Sequence, residues 1–296
     1  MTLEFESVDS VLARPEIEPD WLINGLMVRG CASLVFAPEG CYKTTILLDM
    51  AAHIAGGKKD FLGFGIPSPG PVLYFFLEGG PKRLTTRLKA MPSYRAGIPI
   101  RFCYNISLRT AADWEWFESA VKDFGAVLVI LDPLLSIGWS GDMNDNQSAG
   151  EFMRKLDGVG QRTRAAIALT NHRGKPSHAE TQYPNPEREA HAYLGAQALS
   201  ALADSRIVIL RGKHRDCTFV SLPGKDTEPQ AFRLQLAEDG RYLIRSNSRG
   251  PIPDTLSAIE KAMGLNICNV CGEISSDTDH YQHAKPETVS VRRKVV

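Results

Sequence analysis

The sequence has no excess of charge of either sign: 34 lysines and arginines stand against 34 aspartates and glutamates in 296 residues. That balance excludes a chain-wide field drawing the protein onto nucleic acid or an anionic membrane, so any contact with DNA has to be local. Long apolar runs are missing too. None approaches the roughly 20 residues a bilayer span requires, and no basic-then-apolar leader opens the chain. The expected setting is therefore soluble and cytoplasmic, with no membrane partner. Cysteines number six. Cys31, Cys41, Cys103 and Cys217 are scattered and only Cys268 and Cys271 are close, which is not the framework of a disulfide-stapled secreted domain.

What is present is organised around residues 34–49, LVFAPEGCYKTTILLD. An apolar run over 31–36 enters a turn containing Pro38 and Gly40. Lys43, Thr44 and Thr45 then open a segment with apolar residues at Ile46, Leu47, Met50, Ala51 and Ile54, a helical spacing ended by Gly56 and Gly57. This predicts strand, loop and helix. A helix N-terminus aims free N–H groups and the positive end of its dipole at whatever the loop encloses, and a lysine and a hydroxyl sit at that point. The pattern predicts a phosphate site built from Pro38, Glu39, Gly40, Cys41, Tyr42, Lys43, Thr44 and Thr45. In it Lys43 reaches the β and γ phosphates and Thr44 holds Mg2+. Both glycines of the usual G-x-x-x-x-G-K-[ST] pattern are absent, with Ala37 at the first place and Tyr42 at the second. Tyr42 then needs a backbone that a β-carbon permits and a ring pointing out of the cradle. An ordinary helix with a basic first turn is the competing reading.

Two further apolar runs, 72–77 and 126–131, read as strands covered on both faces, and each ends in an acid, Glu78 and Asp132. A third, 165–170, ends in Asn171, His172 and Arg173. Helical spacing over 82–90, 110–123, 149–164 and 190–203 separates these runs from one another and from a strand at 206–210. Strand and helix in alternation predict an α/β fold: a mainly parallel sheet with helices on both faces. Ligands in such sheets bind outside the carboxyl ends of the strands, which sets Glu78 and Asp132 beside the phosphate loop. Short strands at 218–222, 231–236 and 241–245 predict a C-terminal antiparallel extension. The chain divides into a lead-in (1–30), a core (31–245) and a last segment (246–296) of linker, short helix and tail. In the tail Cys268, Cys271, His280 and His283 form a zinc-compatible ligand set, weighed against a flexible tail with incidental Cys and His.

Taken in order, WLINGLMVRG, APEGCYKTT, LYFFLEGG, VLVILDP, LTNHRGK and AQALSALADSRIVILRGKHR resemble the RecA-like P-loop ATPases, in the branch of RepA-type hexameric replicative helicases. The resemblance implies ATP and Mg2+ as ligands. It implies that Glu78 polarises the attacking water, Asp132 binds Mg2+ through water and His172 senses the γ phosphate. A basic finger, either Arg206 or the pair Lys213 and Arg215, would complete the site of a neighbouring subunit in a homo-oligomeric, hexameric ring. Single-stranded DNA and replication or recombination proteins are the implied partners, with loops 136–148 and 174–189 facing the DNA and Arg173, Lys175 and Arg188 as candidate phosphate contacts. The alternative is a regulatory or scaffold ATPase of the same fold with slow hydrolysis.

Overall fold

A computed structural model describes residues 5–15, 18–37, 40–91, 93–142, 144–172, 197–211, 217–222, 230–236, 242–244, 266–267 and 274–275. Its centre is a nine-stranded sheet. In chain order the strands are β1 (Ala32–Ala37), β2 (Val72–Phe76), β3 (Ile100–Cys103), β4 (Leu128–Asp132), β5 (Ala166–His172), β6 (Ser205–Arg211), β7 (Cys217–Leu222), β8 (Gln230–Leu236) and β9 (Tyr242–Ile244). Across the sheet they run β9-β8-β7-β6-β1-β5-β4-β2-β3. The six strands from β6 to β3 pair in parallel, and β7 to β9 continue from β6 as an antiparallel extension. The α/β fold with its mainly parallel sheet and antiparallel extension is as the sequence predicts.

The apolar runs form strands because both sheet faces are covered. Side chains alternate across a strand, so consecutive apolar residues must fill two cores. Val35, Tyr74, Phe76, Leu128, Ile130, Ala166 and Ala168 enter one core, against Ile46, Leu47, Met50 and Ile54 of the helix that follows the phosphate loop. Leu34, Phe36, Leu73, Phe75, Val129, Leu131, Ile167 and Leu169 enter the other. That second core is closed by Phe117 and Val121 of one helix, and by Phe152, Met153, Leu156 and Val159 of another.

Among the described residues the α-helices are α1 (Val8–Leu12), α2 (Lys43–Ala55), α3 (Gly80–Lys89), α4 (Ala111–Phe124), α5 (Asn146–Thr163) and α6 (Gln197–Leu202). α4 begins in a capping box between Thr110 and Asp113. α5 starts three residues earlier than its apolar spacing predicts, because Asp145 accepts from the Ser148 N–H at 2.7 Å and caps it there. The lead-in folds as a two-stranded ribbon, Trp21–Ile23 with Met27–Val28, that buries Leu22, Ile23, Leu26 and Met27 in the α2-side core.

Stretch 136–148, read as a polar loop, is more ordered at its start. Gly138–Trp139 pairs with Ser107–Leu108, and Ile137 is buried in the α4–α5 core. Apolar Ile137 and Trp139 account for the difference: they pack, and the chain between them and the sheet follows.

Candidate functional site

Four neighbouring parallel strands, β1, β5, β4 and β2, bring the acidic and hydroxyl groups to one rim. β1, β5 and β4 are adjacent, and His172, the last residue of β5, is in register with Ala37, the last before the phosphate loop. Asp132 closes β4 opposite Phe76 of β2, two residues before Glu78. The Leu77 N–H also donates to the Asp132 carbonyl at 2.9 Å, fixing the start of the Glu78 turn against β4. Glu78 is exposed at this rim. The turn after it needs glycine: Gly79 has φ 95°, and a Cβ there would collide with the Arg83 side chain.

Lys43 is the first residue of α2, and its side chain is only 8% exposed. Its Nζ is buried with no hydrogen-bond partner among the described residues. Burial lowers its pKa from the ordinary lysine value, while Asp132, Glu78 and Cys41 pull in the opposite direction. A buried ammonium without a partner is expensive, and native structures keep one where a ligand supplies the missing contact.

Tyr42, at the place of the second motif glycine, caps α2 in the left-handed region with φ 58° and ψ 18°. Its half-buried ring packs on the α2-side core, in a backbone conformation that glycine would adopt freely. Cys41 is buried, and Thr44 and Thr45 are half-buried at the helix start.

Asp132 is buried, with both carboxylate oxygens occupied. Oδ2 accepts from the Tyr74 hydroxyl at 2.9 Å and Oδ1 from the Thr170 hydroxyl at 2.7 Å. Burial and the adjacent carboxylate push the Tyr74 pKa well up, so the phenol remains a donor. Sequence reading missed Tyr74 and Thr170. The available signal was a hydroxyl-bearing residue inside each of two otherwise apolar strands.

A hydroxyl at Thr44 and a carboxylate at Asp132 are hard oxygen donors, and with the orphaned Lys43 amine they fit a site for Mg2+ and a polyphosphate. Arg206 is placed elsewhere. It is the second residue of β6, in register with Leu34 rather than with the end of β1, and its Nη1 donates to Ser200 Oγ at 3.4 Å. Pro38, Glu39, Arg173, Lys175, Arg188, Lys213, Arg215 and the tail residues Cys268, Cys271, His280 and His283 lie outside the described residues. Among the described residues no cluster of His, Cys, Asp and Glu is arranged to hold a metal ion, and no helix is long and apolar enough to cross a membrane.

Residues 2–178 match the family model AAA_25, described as an AAA domain. Among solved structures, the chain is similar to the ATPase domain of G40P, with a TM-score of 0.55 and 13% identity, covering 73% of this chain and 85% of that one. At that identity the likeness is one of fold.

Proposed function

Because the chain belongs to the AAA domain family and has the RecA-like P-loop ATPase fold, we propose that it binds ATP with Mg2+, hydrolyses it, and acts on DNA as a hexameric replicative helicase or a close relative. The observation that carries the nucleotide reading is the buried Lys43 amine at the start of α2, which has no hydrogen-bond partner among the described residues. An anion at this helix N-terminus meets free N–H groups, the helix dipole and that ammonium together.

In this reading the backbone of the phosphate loop and Lys43 hold the β and γ phosphates. Thr44 holds the metal directly and Asp132 holds it through water. Bound Mg2+ supplies charge neutralisation between the phosphate oxygens. Glu78, exposed at the rim, takes the proton of the attacking water, and His172, at the end of β5, reports on the γ phosphate. Arg206, Lys213 and Arg215 are the candidates to reach the site of a second copy, completing it only in a ring. Of the three, Arg206 donates to the neutral Ser200 hydroxyl, and in this reading its charge stays available for a neighbouring site. Single-stranded DNA, contacted by loops 136–148 and 174–189, is the proposed polymer.

The exposure of Glu78 favours one competing reading, a regulatory ATPase whose isolated subunit hydrolyses slowly, because a base open to water is poorly positioned. ATP turnover with and without single-stranded DNA, measured alongside mass in solution, tests both. Stimulation by DNA in an assembled species supports the motor, and slow DNA-independent turnover supports the switch. Absence of ATP binding overturns both.

A further inference from the structure

The two opposite charges in this pocket are not paired with each other. Asp132 is 4% exposed and Lys43 8% exposed, so both have lost most of their water. Asp132 acts electrostatically on Lys43, yet no ion pair joins them, and the Lys43 Nζ makes no hydrogen bond among the described residues. Attraction between opposite charges is strong where water is excluded, and a charge-assisted bond is stronger than one to a neutral hydroxyl. Something must hold the carboxylate where it is.

Its two hydroxyl partners come from the strands on either side of β4. Tyr74 lies on β2, in register with Ile130, and Thr170 follows Leu169 of β5, which is in register with Leu131. One donates to each oxygen, so rotation of the carboxylate would break both bonds. Neither donor can move easily. Thr170 is fully buried, and the fully buried Tyr74 ring lies with its centroid 5.6 Å from that of Phe102 and 6.2 Å from that of Phe76.

We propose that Tyr74 and Thr170 are positioning residues that keep Asp132 from pairing with Lys43, so that the lysine amine stays uncommitted until phosphate arrives. This inference rests on the nucleotide reading of the site and adds a division of labour within it. The neutral clamp leaves the carboxylate its charge and its remaining lone pairs for metal-bound water, and leaves the ammonium for the nucleotide. Without the clamp, Asp132 and Lys43 satisfy each other, and an incoming phosphate must first break an ion pair.

The test is binding of a fluorescent ATP analogue to the full chain in the presence of a chelator, where no metal and no turnover contribute. Tyr74→Phe removes one oxygen from a ring that stays packed, and Thr170→Val removes the other hydroxyl at nearly constant shape. Each is expected to weaken metal-free binding, Tyr74→Phe by about tenfold if the open form falls to about a tenth of the population. In an Asp132→Asn background, where the charge that captures Lys43 is already gone, Tyr74→Phe is expected to change affinity by less than about twofold, a coupling that a general loss of packing would not produce. Parent-like binding by both single variants overturns the proposal, and so does weakening by Tyr74→Phe that persists in the Asp132→Asn background. Lys43→Ala is the separate arm: if the parent binds the analogue and this variant binds it equally well, the phosphate-loop reading itself fails, whatever the clamp variants do.

Discussion

Replacing Lys43 by methionine separates what the residue costs the fold from what it contributes to the site. The methionine stem fills similar space without an ammonium to desolvate, so the nucleotide-free variant is expected to gain on the order of 1–2 kcal/mol in denaturant unfolding while losing nucleotide binding. The pH dependence has a definite sign. The folded-state pKa of Lys43 lies below its unfolded value of 10.5, so the unfolded chain holds the proton more tightly. The penalty is therefore full below the lowered folded value and shrinks as pH rises from that value toward 10.5, and the difference between the two proteins should narrow over that interval. Glu78→Gln is expected to leave nucleotide binding intact and lower hydrolysis on the order of 100-fold, the loss of a positioned base, as read from single-turnover rates beside equilibrium binding. Lys43, Thr44, Glu78 and Asp132 were legible in the sequence because each is defined by its distance from the end of a strand or the start of a helix. Tyr74 and Thr170 were not, because their role is a contact between strands whose neighbours are set by the sheet order.

Between elements, the clearest electrostatic join is on the α4–α5 face. Glu118 of α4 accepts two bonds from Arg162 of α5, at 2.9 and 2.7 Å, and one from Lys122 of its own helix at 2.7 Å. Those bonds, Arg162 first, hold its carboxyl at about 2, well below the usual glutamate value of 4.5. A lowered acid pKa stabilises the fold fully above the unfolded value and loses that contribution as pH falls from about 4.5 toward 2. The Arg162 and Lys122 ends are more than half exposed, so solvent screening reduces the effect. Glu118→Gln is expected to cost about 1 kcal/mol at pH 7 and little at pH 2, measured by urea unfolding at the two values. Strands β1, β2, β4 and β5 were readable as continuous apolar runs because both of their faces are buried. β3 went unread: at the edge of the sheet, Ile100–Cys103 is only four residues long, has no fully buried position, is exposed at Arg101 and carries no such run.

At the scale of the whole molecule, the proposed ring makes a prediction that no single subunit can satisfy. Mixing a Lys43→Ala protein with one lacking the finger (Arg206→Ala, Lys213→Ala or Arg215→Ala) should restore part of the ATP turnover that each lacks alone, since mixed interfaces pair an intact loop with an intact finger. No restoration for any of the three, with assembly verified by mass, would mean that each site works within one chain or uses another finger. The sheet order has another consequence, for the time at which the protein is made. β1 carries the phosphate loop and is translated early, but its two neighbours come late: Ala32 pairs with Ile167, and Leu34 with Arg206. At ordinary rates of synthesis, roughly 170 residues separate Leu34 from its last partner by a delay on the order of 10 s. Until β5 is made this wholly buried strand has open edges on both sides, and one edge stays open until β6 follows, which is when a chaperone has most to protect.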